Sequence, residues 1–336
     1  MPMRPPQRKG AVVSDCAGLL FIGDPHVASR APGFRKDDYP EAILGKLQWA
    51  MDYARENRLR PVLLGDLFDF PRDNANWLIV RLLGMFDGTL AVVGNHDCKE
   101  NRLGENDTLS VLVAAGRLRL LDEKTPWVGT VNDRPAIVGG TCWGEYLPKS
   151  FDPTPHLISS GLRTQNSGLA PLVFWVTHHD LRFPGYEESA RLDCREIPGI
   201  DVVVNGHIHR DLGRVRAGRT LWVNPGNIAR VARSDASRAH VPSVLRVDVG
   251  RDGIGEAVRV PVPCRPFDEV FHDDVRADAA PADESAFVRA LSLLESVRTA
   301  SGAGLRQFLD ANVQQFDVRV AAEIQKLAEE VLNHAD

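Results

Sequence analysis

Five short polar clusters contain the residue types that hold metal ions, and each follows an apolar run of the chain. They combine carboxylate, amide and imidazole groups. Six of the ten histidines of the 336-residue chain lie in them. In chain order the clusters are Asp24-Pro25-His26, Gly65-Asp66-Leu67-Phe68-Asp69, Gly94-Asn95-His96-Asp97, His178-His179-Asp180 and Gly206-His207-Ile208-His209.

The chemistry of these groups indicates a site for two divalent ions. Carboxylate oxygen, amide oxygen and imidazole nitrogen suit Mn²⁺, Fe or Zn²⁺, and the lack of thiolates disfavours a structural zinc site. Asp-x-His and His-x-His each place two side chains on the same side of an extended chain. Two ions about 3.5–4 Å apart need a bridging carboxylate, which offers one oxygen to each ion. Asp66 is the best candidate for this bridge.

The segments around the clusters alternate between strand-like and helix-like patterns, which predicts an α/β fold. Ligands collect beyond the carboxyl ends of strands in such folds, so distant clusters can converge on one site. An antiparallel hairpin is predicted from Ser243–Val249 and Glu256–Val262, and a long surface loop over Thr141–Ala170. The strand predictions are Ala17–Gly23, Pro61–Gly65, Thr89–Val93, Ala136–Gly139, Leu172–Thr177, Asp201–Asn205 and Leu221–Asn224, and the helix predictions are Asp38–Asn57, Asn74–Phe86 and Thr108–Ala115.

The order of the five clusters resembles the signature of the calcineurin-like metallophosphoesterase superfamily, over roughly residues 17–230. The resemblance implies a four-layer α/β/β/α sandwich with a two-metal site. It also implies two sets of ligands. The first ion would be held by Asp24, His26, Asp66 and His209, and the second by Asp66, Asn95, His178 and His207.

Three further residue assignments accompany this resemblance. His178 is preferred to His179 as a ligand because it directly follows the strand Leu172–Thr177. His96 matches the superfamily's catalytic histidine that is not a ligand, and Asp69 matches the acid that orients it.

The implied reaction is the hydrolysis of a phosphoester. Two divalent ions, of which Mn²⁺ is the first expectation, lower the pKa of a bridging water so that hydroxide attacks phosphorus near neutral pH. A protonated His96 would stabilise the phosphate or donate a proton to the departing oxygen. A non-catalytic scaffold on the same fold is disfavoured because every ligand is present.

The choice of phosphoester depends on features outside these clusters. An Asn224-Pro225-Gly226 turn, a predicted hairpin and Arg265-Pro266-Phe267 resemble the SbcD-type DNA repair exonucleases. Arginines beside the site would contact a DNA backbone. The candidates are Arg210, Arg230 and Arg233. The alternative is a small-molecule or phosphoprotein phosphoesterase, such as a nucleotide or cyclic-nucleotide phosphodiesterase, which closure of the site by Thr141–Ala170 would favour.

Composition and charge complete the predicted organisation. We expect a flexible N-terminus over 1–16, a catalytic domain over 17–267, a linker over 268–283 and a helical extension over 284–336. Residues 267–336 hold 14 acidic and six basic residues, so they make a poor DNA surface. Their apolar helical stripes would instead suit a protein partner or a second copy of the chain.

No apolar run approaches the roughly 18 residues that span a bilayer. Five widely spaced cysteines indicate a reducing compartment, and we expect a cytoplasmic protein.

Overall fold

A computed structural model describes residues 16–32, 35–162, 170–187, 190–250 and 253–272. The predicted N-terminal segment up to residue 15 and the predicted extension over 284–336 lie outside the described residues. The helices are α1 (Tyr39–Glu56), α2 (Asn76–Met85), α3 (Thr108–Ala114), α4 (Thr154–Ser160), α5 (Asp235–Ala239) and α6 (Phe267–Val270). The strands are β1 (Gly18–Ile22), β2 (Leu59–Leu63), β3 (Thr89–Ala91), β4 (Leu118–Leu120), β5 (Trp127–Val131), β6 (Arg134–Thr141), β7 (Leu172–Thr177), β8 (Leu181–Arg182), β9 (Leu192–Asp193), β10 (Val202–Asn205), β11 (Gly213–Ala217), β12 (Thr220–Asn224), β13 (Ser243–Gly250) and β14 (Gly253–Pro261).

Two six-stranded sheets form the centre of the described structure. The first has the order β14-β13-β1-β2-β3-β4, and the second has the order β11-β12-β10-β7-β6-β5. Strands β1 to β4 are parallel to one another, and so are β6, β7, β10 and β12. The remaining pairs in these two sheets are antiparallel.

Alternating side chains divide most of the described core into three large apolar clusters. Leu19 and Phe21 of β1 point between the sheets, where they pack with Phe174 of β7. Leu20 and Ile22 point to the opposite face and pack under α1, α2 and α3. The outer face of the second sheet buries a third cluster that includes Leu157 of α4. The predicted α/β fold class is therefore confirmed, with helices outside a pair of packed sheets.

The helix predictions agree with the structure to within about two residues at each end. Helix α1 begins where the Asp38 carboxylate accepts a hydrogen bond from the Glu41 backbone N–H, which caps the helix. The predicted hairpin is formed by β13 and β14. The prediction of a continuous loop over Thr141–Ala170 is wrong in part, because helix α4 lies inside it.

The packed body continues past the predicted domain boundary at residue 267. Phe267, Val270 and Phe271 form a small apolar cluster. The backbone of Phe271 also pairs with Arg35. Residues 268–271, which the sequence assigns to a linker, are therefore part of the described body. Among the described residues, no helix is long and apolar enough to cross a membrane.

Candidate metal centre

The five polar clusters follow parallel strands whose carboxyl ends lie at one edge of the paired sheets. Strands β1, β2 and β3 of the first sheet lead into the clusters at Asp24, Asp66 and Asn95. Strands β7 and β10 of the second sheet lead into those at His178 and His207. Because the two sheets pack face to face, side chains far apart in the chain converge at this edge.

The first ligand group consists of Asp24, His26, Asp66 and His209, which each offer an atom within 4.8 Å of the others. The Nε2 atoms of His26 and His209 are 2.9 Å apart. The Nε2 atom of His26 lies 3.7 Å from Oδ2 of Asp66. These are the four residues that the family resemblance implies for the first ion.

The second ligand group contains Asp66, His178 and His207, again within 4.8 Å of one another. The Nε2 atom of His178 lies 3.2 Å from Oδ2 of Asp66. The Asn95 side-chain oxygen lies 3.2 Å from His178 Nε2 and 2.9 Å from His207 Nδ1. Asp66 thus belongs to both groups, in the position of the expected bridge.

The donor set fits two divalent cations. The Oδ2 atom of Asp24 is buried and has no hydrogen-bond partner among the described residues. Burial of such a carboxylate oxygen is costly unless the oxygen coordinates a cation. The Nε2 atoms of His26 and His209 face each other at 2.9 Å, so both rings are placed to coordinate the same cation in the tautomer with Nε2 unprotonated. Oxygen and imidazole donors without thiolate suit Mn²⁺, Fe or Zn²⁺.

Burial and mutual proximity shift the pKa values of these groups strongly. Burial raises the pKa of Asp24. Burial and the neighbouring His26 hold the pKa of His209 well below its usual range. Burial also acts to lower the pKa of His178, but the carboxylates of Asp66 and Asp24 outweigh it and raise the value to about 9. Carboxylates and imidazoles with shifted pKa values are therefore packed together, and bound cations would shift these pKa values again.

Several of these residues have backbone angles that L-amino acids rarely adopt. Asp24, His26, Asp66 and His207 have φ values of 40°, 48°, 47° and 70°. Such conformations cost about 1–3 kcal/mol each and persist at functional sites, where the surrounding structure enforces them. Gly94 lies so close to Asp66 that a side chain does not fit, since a Cβ there would overlap the carboxylate and backbone nitrogen of Asp66.

His178 and His179 occupy different environments. His178 is fully buried, with Nδ1 at 2.7 Å from the Leu64 carbonyl and Nε2 in the second ligand group. His179 contacts the Thr177 hydroxyl through Nδ1, and its Nε2 lies 2.9 Å from the Glu145 carbonyl. The structure therefore brings His178, and not His179, to the other candidate ligands.

His96 lies beside the first ligand group, with its ring centroid 4.8 Å from that of His26. Its backbone N–H donates to Oδ1 of Asp66 at 2.8 Å. The link to Asp69 uses the backbone carbonyl, 2.8 Å from His96 Nδ1, whereas the Asp69 carboxylate lies 3.2 Å from His26 Nδ1. Asp69 is therefore positioned to orient both rings, by two different groups.

The three predicted arginines have different positions. Arg210 is exposed and donates to the Gly185 carbonyl, with its guanidinium 5.9 Å from the ring of Tyr186. Arg230 donates to the backbone carbonyls of His240 and Arg265, so much of its guanidinium is used within the protein. Arg233 is half-buried in the segment before α5.

Two residues without a role in the sequence predictions contact the second ligand group. Asp180 Oδ1 lies 3.0 Å from Nε2 of His207 and also accepts from the Tyr186 hydroxyl. The Trp143 ring centroid lies 4.9 Å from that of His207, and its Nε1–H donates to Asn101. Asp180 is signalled by its place directly after His178 and His179. Trp143 has no signal, because only the fold brings it to His207.

Residues 18–211 match the family model of the calcineurin-like phosphoesterases. The match covers more than half of the chain, and the chain belongs to this family. It is a metal-dependent phosphoesterase, a hydrolase of ester bonds. No curated protein matches the sequence.

The solved structures to which this chain is similar share little of its sequence. A hypothetical protein from Thermus thermophilus is 12% identical, with 73% of this chain and 99% of that chain covered and a TM-score of 0.40. A conserved uncharacterized protein from Streptococcus pneumoniae, described as a predicted phosphoesterase, is 12% identical, with 73% and 97% covered and a TM-score of 0.28. Vps29 of Chaetomium thermophilum is 15% identical, with 74% and 97% covered and a TM-score of 0.28.

Proposed function

We propose that this phosphoesterase hydrolyses phosphodiesters with two divalent ions, and that its substrate is DNA, as in the SbcD-type exonucleases it resembles. The observation that carries the two-ion proposal is the sharing of Asp66 between two adjacent ligand groups. When bound, such ions polarise the phosphoester and supply a nucleophile from water at neutral pH. Mn²⁺ is the ion we expect.

The protein side chains have separate tasks in this proposal. Asp24, His26 and His209 hold the first ion, and Asn95, His178 and His207 hold the second, with Asp66 between them. The surrounding structure that enforces the left-handed backbone at Asp24, His26, Asp66 and His207 would also hold these donors in place before substrate arrives.

His96 is the group that we assign to proton transfer. A carbonyl only accepts hydrogen bonds, so the Asp69 carbonyl at 2.8 Å requires a proton on His96 Nδ1. The other nitrogen, Nε2, is then the one that gains and loses a proton. In the imidazolium form it would donate that proton to the departing oxygen of the phosphodiester.

Support for a DNA substrate comes from one side of the site. Arg210 is exposed and stacks near Tyr186, which in turn contacts Asp180 beside His207. An exposed guanidinium there would suit a backbone phosphate. Arg230 is weaker support, because it already donates to two backbone carbonyls.

A second candidate is a phosphoesterase for small substrates such as nucleotides or cyclic nucleotides. Trp143 favours it, because the indole is half-buried against His207 and is held by its hydrogen bond to Asn101. A flat ring at that position would stack on the base of a single nucleotide. This tryptophan belongs to the segment Thr141–Ala170, whose closure over the site would favour small substrates.

Purified protein with Mn²⁺ should be assayed on end-labelled single- and double-stranded DNA, with His96→Ala as the control. We expect shortened products or mononucleotides that the variant does not form. Intact DNA under conditions where a generic aryl phosphodiester is cleaved would overturn the DNA proposal and favour the small-substrate candidate. Cleavage of nucleotides that depends on Trp143, measured with Trp143→Ala, would then identify it.

A further inference from the structure

A cavity of about 600 Å³ lies beside the start of helix α1, away from the ligand groups. Its walls come from the segment that leads into α1, from the helix itself, and from the chain around residues 230 and 263–270. Four cationic side chains line it, and none of them is a candidate metal ligand. They are Arg35, Lys46, Arg230 and Arg265.

Two of the three acidic side chains of the cavity are ion-paired. Asp37 receives two hydrogen bonds from Arg35, at 2.8 and 2.6 Å. Glu41 pairs with Arg81, at 3.1 and 3.3 Å, and Arg81 is not part of the cavity wall. The Asp38 carboxylate accepts a hydrogen bond from the backbone at the start of α1 and keeps its charge, so it is the one cavity carboxylate without an ion pair among the described residues.

The other three cations lack such partners. Among the described residues, no carboxylate lies within salt-bridge distance of Lys46, Arg230 or Arg265. Lys46 Nζ donates to the Ile228 carbonyl, at 2.9 Å, and Arg230 donates to carbonyls as well. Carbonyls satisfy hydrogen bonds but do not neutralise the positive charge, and the Asp37 carboxylate, which offsets part of the charge at Lys46, is already paired with Arg35.

Lys46 is half-buried, and burial lowers its pKa to about 8. Cys264 and Asp37 oppose this shift, whereas the neighbouring cations Arg35 and Arg230 add to it. An anion between these cations would remove the repulsion. Lysine and arginine are the side chains that bind phosphate oxygens, and arginine does so with two parallel hydrogen bonds.

We propose that this cavity is a second anion site, which binds a phosphate group through Lys46 and Arg265, with Arg230 adding positive charge while its guanidinium donates to carbonyls. The phosphate is that of a free inorganic anion or of a nucleic-acid backbone, since both present the same oxygens. Two hydrogen bonds connect the region around the cavity to the chain segment that carries Asp24 and His26. Tyr39, under the Arg35 guanidinium, donates to the His26 carbonyl at 2.7 Å, and the Ile228 N–H donates to Gly23. Phosphate binding here is independent of whether the metal centre hydrolyses DNA.

The test is calorimetric titration of the full-length, metal-free protein at constant ionic strength, in two arms. One arm uses inorganic phosphate and the other a short single-stranded oligodeoxynucleotide. Lys46→Met and Arg265→Ala should each weaken binding at least about tenfold, whereas Lys46→Arg should retain it. Lys124→Met removes an exposed lysine elsewhere and should leave the affinity unchanged.

The two arms of the titration distinguish the two sources of the phosphate. Variant-sensitive binding of phosphate alone assigns the site to the free anion, and variant-sensitive binding of the oligonucleotide assigns it to a nucleic-acid phosphate. Equal affinities in wild type, Lys46→Met and Arg265→Ala, or no binding in either arm, overturn the proposal. Both variants should retain metal-dependent hydrolysis of an aryl phosphodiester, which shows that they are folded. Arg265 is exposed, so its variant keeps the test valid if Lys46→Met does not fold.

Discussion

At the residue scale, the metal centre consists of side chains whose partners lie in other clusters of the chain. His26 meets His209, His178 meets Asp66, and Asn95 lies between His178 and His207. The identities of these residues were predictable because each follows an apolar run. Their pairing was not predictable from spacing, because it depends on how two sheets align. The contact of Trp143 with His207 had no local signal for the same reason.

His96 should be needed for turnover and not for metal binding. We expect His96→Ala to lower kcat by about 10²–10⁴-fold, the usual contribution of a positioned general acid. The metal content, measured by atomic emission on the purified variant, should equal that of wild type. Metal that is lost in proportion to activity would instead make His96 a ligand.

Asp180 should act on the metal centre through His207. Its carboxylate lies 3.0 Å from Nε2 of that ring, so it fixes the ring orientation and the tautomer. Asp180→Ala should weaken metal binding or activity by about 10–100-fold, as is usual for partners of metal-bound histidines. Tyr186→Phe removes only the hydroxyl that donates to Asp180 and should have a much smaller effect. Unchanged metal affinity in Asp180→Ala would show that His207 does not need this partner.

At the scale of elements, the long amphipathic helices and buried strands were predictable, and the short or exposed elements were not. Helix α4 has a single buried residue, Leu157, and therefore no apolar period. Strand β11 lies at a sheet edge and has mainly exposed residues, so it lacks the apolar pattern of a strand. These elements are stabilised by other segments of the protein that pack against them, which the local sequence does not show.

Two glycines differ in the free space around them, and an alanine substitution at each tests the packing there. A Cβ at Gly45, in the middle of α1, would meet no atom within 4 Å, so Gly45→Ala should stabilise the protein by about 0.5–1 kcal/mol. Gly94→Ala should destabilise it and weaken metal binding, because the methyl group would overlap Asp66. Denaturant unfolding and metal titration of the two variants measure both effects. A Gly94→Ala protein with wild-type metal affinity would refute the close packing.

At the scale of the whole molecule, the alternation of strands and helices predicted an α/β fold but not its sheet order. The return of β13 beside β1 places a late hairpin next to the first strand. The junction of the two sheets at one edge was implied by the resemblance to the family and not by periodicity. Charge balance across the molecule also depends on the fold, as Lys46 shows.

Lys46 should make stability depend on pH above neutrality. Its pKa is about 8 in the folded chain and near 10.5 when unfolded. Between these values the unfolded chain binds the extra proton, so the free energy of unfolding should rise with pH. The rise should be about 1–2 kcal/mol in wild type relative to Lys46→Met, after allowance for partial exposure. Urea unfolding at about pH 7.5 and about pH 10.5 in phosphate-free buffer spans this window and measures the rise. Parallel pH profiles of the two proteins would contradict the lowered pKa.

The central claim is that two ions held around Asp66 perform the hydrolysis, and one titration tests it most directly. Metal-free protein is titrated with Mn²⁺ while cleavage of a generic aryl phosphodiester is followed. Activity should reach its maximum at two equivalents and disappear on chelation. Asp66→Asn should lower it by several orders of magnitude, whereas Asp87→Asn, at a residue 97% exposed in its side chain, should not change it. Full activity without added metal, at one equivalent, or in Asp66→Asn would contradict the claim.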